Sequence, residues 1–335
     1  MKSPITGKEM SLQKKEEIIT FRKEEFNYLH FNYLCEDSGE NFSTTELDEL
    51  NINQVYNQYR DKHNLPFLDE IKYFREKLDI PASKMSQILG FGANSFRNYE
   101  KGEVPSLANG NLIKLVINDV NQFKNLVKSN DEISLDEKEK IFLKIDNLLE
   151  EEKRSYSDAE FVKNLFNHNL LPDNFSGYIK PNMNKLSEMI VYFTEKLKPS
   201  KTMMNKLLFY SDFLNFKKCG FSISGTRYVA IQYGPVPDRY YGIFDYLTHK
   251  DFVKIVSEEY GYGYVGETFY PTKKSFDFDL FTEIELESIK HVFNKFKSLK
   301  ATQIMEMSHE EEAWLENKDS KNLIDYNYSF ELKNI

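Results

Sequence analysis

Three short stretches hold the residue types from which chemistry is built. "GFGANSFRNYEKG" (90–102) brackets a Phe with two glycines and closes its polar run on a third. "HEEEA" (309–313) opens like a zinc-protease motif, and "GFSIS" (220–224) like the turn that presents a nucleophilic serine. Each is judged by what its chemistry requires. H-E-x-x-H needs a second histidine one helical turn on, where Ala313 stands. A nucleophile elbow needs glycine where Ser224 stands. A dinucleotide cradle needs G-x-G-x-x-G between a strand and a helix. Here Ser95 takes the third glycine position, and the preceding "SKMSQIL" reads as a helix. No Gly-Lys-Ser/Thr follows for a Walker loop. His309, close to Trp314, reads as a packed histidine rather than a base. No catalytic residue and no cofactor is expected.

The first stretch fits a helix, a short turn and a second helix. A helix over about 83–89 would support, the glycines would turn the chain, and the second helix would offer Asn94, Ser95, Arg97 and Asn98. These residue types hydrogen-bond to base edges and phosphates, while Phe96 and Tyr99 pack inward. Ser83, Lys84 and Lys101 flank them and complete the candidate DNA-binding set. A structural helical hairpin is the alternative that the pattern leaves open.

The remaining residues must position such a site. The 335 residues allow two or three domains. With 40% hydrophobic and 15% aromatic residues, a wholly disordered chain is excluded. Cys35 and Cys219 give no disulfide framework and suit a reducing cytoplasm. No apolar run approaches the roughly 18 residues that cross a membrane, and "MKSPITGKEM" lacks a secretory h-region, so no membrane partner is expected. The net charge is −9, yet Pro66–Lys128 carries nine Lys/Arg against seven Asp/Glu. Phosphate contact is allowed there.

Leu29, Phe31 and Tyr33 alternate with polar residues, predicting a strand within a small β-rich module over 1–65. Leu68, Ile71, Phe74 and Leu78 predict a helix, Pro81 stops it, and Ser83 is the expected cap of the next. Leu112, Leu115, Val116 and Val120 predict a further packing helix. "SLDE" (134–137) has capping-box spacing and opens a charged helix through Ile141, Ile145 and Leu148, whose many charges suit a solvated connector within 129–179 better than a core element. From about 180, helices lead to a strand-like "SISGTRYVAIQYGPVP", another helix, a hairpin over 252–270, and a helix boxed by Thr282 and Glu285.

"LGFGANSFRNYEKGEVPS" resembles the helix-turn-helix of MqsA-like antitoxins, a zinc-ribbon family that represses its own operon. In that family an Asn at the Asn94 position and an Arg at the Asn98 position read bases. Asn94 carries over, whereas Arg97 lies one residue before the expected place. The family's two Cys-x-x-Cys pairs correspond here to "SPIT" (Ser3, Thr6) and "CEDS" (Cys35, Ser38). Hydroxyls are poor zinc ligands, so a metal-free ribbon is expected. Residues from about 180 to 325 are similar to the SocA-like Panacea domain, on "NKLLFYSDF", "SISGTRYVAIQYGPVP" and "SHEEEAW". That resemblance implies an antitoxin that neutralises a toxin protein by direct contact; one relative is also a proteolytic adaptor.

The expected fold is α+β: a ribbon-like β module (1–65), an all-α helix-turn-helix domain (66–128), a helical connector (129–179) and a mainly helical Panacea domain with a small antiparallel sheet (180–335). The expected function is a cytoplasmic type II antitoxin, a homodimer that binds its cognate toxin and represses its operon at operator DNA. A regulator or adaptor with a non-toxin partner is the alternative. The "YGPVP" turn is expected to present Tyr233, Pro235 and Pro237 beside Arg239 and Tyr240. Tyr210, Asp212, His309 and Trp314 complete the candidate toxin-binding set.

Overall fold

Alternating residues over Ser11–Phe21 (β1) and Glu24–Leu34 (β2) pair as an antiparallel hairpin. Arg22 and Lys23 close it, both at positive φ, as a two-residue turn matched to strand twist requires. The computed structural model describes residues 1–154, 156–166, 170–259 and 265–335. Asn41–Phe42 (β3) extends the sheet beside β2.

Thr45–Lys62 (α1) follows, with Thr44 Oγ1 accepting the Leu47 N–H as its cap. This helix was not expected in a β-rich module. Its buried face packs Val55 and Tyr59 against Phe26 but is also unusually polar, because side-chain amides replace a strand along the edge of β2. Asn51 bonds both N–H and C=O of Phe31, Gln54 bonds both of Leu29, and Gln58 donates to the Asn27 carbonyl.

Leu68–Lys77 (α2), Ala82–Ile88 (α3), Ser95–Glu100 (α4), Leu107–Asn118 (α5), Val120–Ser129 (α6) and Leu135–Arg154 (α7) come next. Ile71, Phe74, Met85, Ile88, Phe96 and Phe123 share one buried core. Three expectations are corrected here. Ser83 lies inside α3, which starts after Pro81 with no side-chain cap. Ile113 and Val116 form the buried stripe of α5, while Leu115 is half exposed. The charged helix α7 is not a solvated connector: it sends Ile141, Ile145 and Leu148 into this core, and its charges line the opposite face. Tyr156–Leu165 (α8) follows, and the chain divides into two compact units, Met1–Ala159 and Glu160–Ile335.

In the second unit, Met183–Leu197 (α9) precedes Lys201–Cys219 (α10). Every residue of α10 from Met203 to Phe216 is buried, so it is the unit's central helix rather than an amphipathic one. Tyr228–Ile231 (β4) and Gly234–Pro237 (β5) form one two-stranded sheet. Tyr240–His249 (α11) leads to a second, Val253–Glu259 (β6) with Val265–Pro271 (β7); the tip of this expected hairpin lies outside the described residues. Glu283–Phe296 (α12), capped by the expected Thr282/Glu285 box, Ala301–His309 (α13) and Glu312–Leu315 (α14) complete the unit. Rings from Phe209, Phe213, Phe216, Tyr228 and Tyr326 pack around α10, Phe213 stacking on Tyr326 at 4.4 Å. Each such buried ring contributes about 1.5–3 kcal/mol. The class is α+β, as expected.

Candidate functional site

The helix preceding the glycine pair excludes a phosphate cradle of the dinucleotide type, which would need a strand there. Gly90 has φ +70°, which lets the chain reverse between α3 and α4. Buried Ser86 of α3 accepts the Phe96 N–H at 3.1 Å, fixing the start of α4 against its support. Phe96 and Tyr99 point inward. Asn94, Arg97, Asn98 and Lys101 are exposed, and Ser95 is half-buried. The end of α4 is held from α1: fully buried Arg60 donates to the Gly102 carbonyl at 2.7 Å. Burial pulls the Arg60 guanidinium down to about 10. Arg22, at the hairpin tip, donates to the carbonyls of Val104 and Pro105. Ser83 is exposed, but Lys84 lies 3.0 Å from Glu137 of α7. One of the expected cations is thus already balanced.

At the start of the chain, Ser3, Thr6, Cys35 and Ser38 come together. Thr6 Oγ1 lies 3.7 Å from Cys35 Sγ, and hydrogen bonds from Ser3 and Ser38 bring the Cys35 thiol down to about 6. Among the described residues no cluster of three or more His, Cys, Asp or Glu could hold a metal.

In the second unit the candidate residues separate by depth. Tyr210 and Asp212 are fully buried on α10. Asp212 Oδ1 accepts the N–H groups of Ile223 and Ser224, and Oδ2 accepts the hydroxyls of Ser224 and Tyr228. Burial raises its pKa, opposed by these donors. Asp212 is therefore the hub that shapes "SISGT", not a contact residue. Pro235 and Pro237 lie inside β5 and are buried, so the rigid exposed loop expected of "YGPVP" reduces to Gln232 and Tyr233.

Tyr233 is 59% exposed at the β4–β5 turn. Near that end, Trp314 Nε1 donates to the Ile231 carbonyl at 2.7 Å, and His309 stacks on Trp314 at 4.0 Å. Burial, then Lys206 and Lys318, hold the His309 pKa below its usual value. Arg239, exposed and in the left-handed region, follows the far end of β5 as the residue before α11, with the Tyr240 and Tyr241 rings in tilted contact at 4.2 Å after it. The exposed candidates thus form two patches, separated by the length of a four-residue strand, about 13 Å. The second patch borders a groove of about 400 Å³ lined by Lys201, Tyr241, Phe244, Asp245, His249 and Glu267. Tyr241 is 61% exposed there, with Lys201 Nζ 4.6 Å from its ring centre.

Two buried ionisable residues beside the candidate contact residues escaped the sequence reading. Lys206, fully buried, donates to the Pro235 carbonyl at 2.8 Å, and burial lowers its pKa to about 7. Glu311, almost fully buried, accepts the Tyr210 hydroxyl and the backbone N–H groups of Lys333 and Asn334. Both sit inside quoted motifs, but nothing in a lone sequence marks a charge as buried.

Residues 204–315 match the family model described as antitoxin SocA-like, Panacea domain. The matched segment runs from α10 to α14, so it contains the Asp212 hub, both exposed patches and the core rings Phe209, Phe213, Phe216 and Tyr228, but not Tyr326. No curated protein and no solved structure matches the chain with significance. The C-terminal unit is thus similar, over 204–315, to the SocA-like Panacea antitoxin domain. Among the described residues no helix is long and apolar enough to cross a membrane.

Proposed function

We propose that this chain is an antitoxin whose Panacea unit binds a toxin protein directly and whose N-terminal unit represses the operon by reading operator DNA, as a homodimer. The match over 204–315 carries the first half of the reading. Support for the contact surface comes from exposed Tyr233, Arg239 and Tyr241 beside half-buried Tyr240, His309 and Trp314. Tyr, Trp and Arg on ordered backbone lose little entropy on binding and are favoured anchors.

For the second half, α3, the Gly90 turn and α4 supply the helix-turn-helix pattern, with Asn94, Arg97, Asn98 and Lys101 outward. The MqsA-like resemblance of this stretch belongs to the proposal. Neither reading needs an enzymatic step. Co-purification of the chain with the product of its neighbouring reading frame, together with a mobility-shift titration on its own promoter, tests the two halves separately. A chain that shifts its promoter but retains no neighbour would favour the regulator alternative.

A further inference from the structure

We propose that β1 is the interface through which two copies of this chain pair, edge to edge and antiparallel, about a two-fold axis at Lys15. The strand order β1-β2-β3 leaves β1 outermost. The other side of β2 is closed by the amides of Asn51, Gln54 and Gln58, bonded to the backbone of Phe31, Leu29 and Asn27. Odd-numbered residues of β2 therefore turn their backbone groups towards α1, and even-numbered ones bond to β1. Phe31, Leu29 and Asn27 lie opposite Lys14, Glu16 and Ile18. In an antiparallel ladder these are the non-hydrogen-bonded pairs, so the even-numbered residues of β1 aim their N–H and C=O groups at the open edge. Among the described residues no backbone bond from another element reaches Leu12, Glu16, Ile18 or Thr20.

An open edge this long is a template for another strand, and folded proteins guard such edges. This one carries no Pro and exposes Leu12 (53%) and Ile18 (65%) on one face. The sequence of β1 says what covers it. A two-fold axis normal to the sheet keeps each side chain on its own face, so opposite residues must have numbers of the same parity. Centring the axis on Lys15 places Leu12 opposite Ile18 and Lys14 opposite Glu16, each twice, and Gln13 opposite Glu17. Apolar meets apolar and positive meets negative. Lys15 meets its own copy, but its charge is balanced within the chain by Glu17 at 3.3 Å. Centring on Glu16 would oppose glutamate to glutamate and Lys14 to Ile18; centring on Lys14 would oppose lysine to lysine and Leu12 to Glu16. In the favoured register the hydrogen-bonded pairs are Leu12 with Ile18 and Lys14 with Glu16, each able to exchange both N–H···O=C bonds. A second copy is thus the occupant that the edge fits by backbone, by charge and by apolar side chain at once.

The test is disulfide trapping in the full-length chain, without DNA and without any partner. At the axis Lys15 faces its copy as a non-hydrogen-bonded pair, whose Cα atoms lie about 4.5 Å apart. That is within disulfide reach. Lys15→Cys should give a covalent dimer under mild oxidation while the wild-type chain, with its own Cys35 and Cys219, does not. Gln13→Cys alone and Glu17→Cys alone should cross-link at least ten-fold more slowly, and a mixture of the two should yield the mixed dimer. Ile18→Lys, checked for folding by circular dichroism, should reduce trapping through Lys15→Cys in the double variant. Trapping at Gln13→Cys equal to that at Lys15→Cys, a persistently monomeric chain at tens of micromolar, or trapping that appears only when another polypeptide is added would each overturn the proposal.

Discussion

Asn51 bonds both backbone groups of one residue: its Oδ1 accepts the Phe31 N–H at 2.8 Å and its Nδ2 donates to the Phe31 carbonyl at 2.9 Å. A helix thus does the work of a strand along β2. Asn51→Leu would leave a donor and an acceptor of a buried residue without partners. A loss of about 1–3 kcal/mol for the pair is expected in urea unfolding. A loss below about 0.5 kcal/mol would mean that water already satisfies that edge.

Lys206 makes stability depend on pH in a direction that can be stated beforehand. Burial holds its folded-state pKa near 7, while an unfolded lysine titrates near 10.4. Between these values the unfolded chain binds the proton and the folded chain does not, so stability rises with pH across that window. Below about pH 7 both states hold the proton, and this contribution is flat. Lys206→Met should therefore flatten the curve, removing up to about 1.4 kcal/mol of rise per pH unit. Parallel curves for the two proteins from pH 7 to 9.5 would contradict a neutral buried lysine.

On the DNA side, the pairing of Lys84 with Glu137 separates two cations that look alike in sequence. Lys101→Ala should weaken promoter binding and lower the salt slope by about one, whereas Lys84→Ala should change both less. Arg97→Ala should cost about 1–3 kcal/mol of specific binding if its guanidinium reaches a guanine edge. Asn94→Ala should relax base preference more than general affinity. Titrations on promoter and on scrambled DNA at several salt concentrations distinguish these outcomes. An unchanged isotherm for Arg97→Ala would remove α4 from the interface.

Much of this architecture was legible. Gly90, Phe96 and Tyr99 announced the turn and the inward face of α4, and Thr282/Glu285 announced the start of α12, because caps, turns and period-3.6 apolar stripes are local signals. α1 was not legible, since its buried face mixes Leu50, Val55 and Tyr59 with Asn51, Gln54, Asn57 and Arg60, and the polar residues interrupt the apolar stripe that would mark it. α7 misled for the opposite reason: its charges are many, but three apolar residues on one stripe decide its packing. Among the candidate contact residues, residue type was informative and depth was not. Asp212 and Tyr233 both belong to quoted motifs, yet one is a buried hub and the other a half-free ring. Tertiary packing makes that difference, and it is written in no short stretch of sequence.

The central claim is that toxin contact resides in the C-terminal unit, and it is most directly measured by splitting the chain where its contacts divide. Residues 160–335 and residues 1–159 are each co-expressed with the neighbouring toxin, and growth rescue and co-purification are scored. Residues 160–335 should rescue and co-purify, Tyr233→Ala and Tyr241→Ala should weaken that complex without unfolding the unit, and residues 1–159 should do neither. Rescue by residues 1–159 alone, with none from 160–335, would contradict the account.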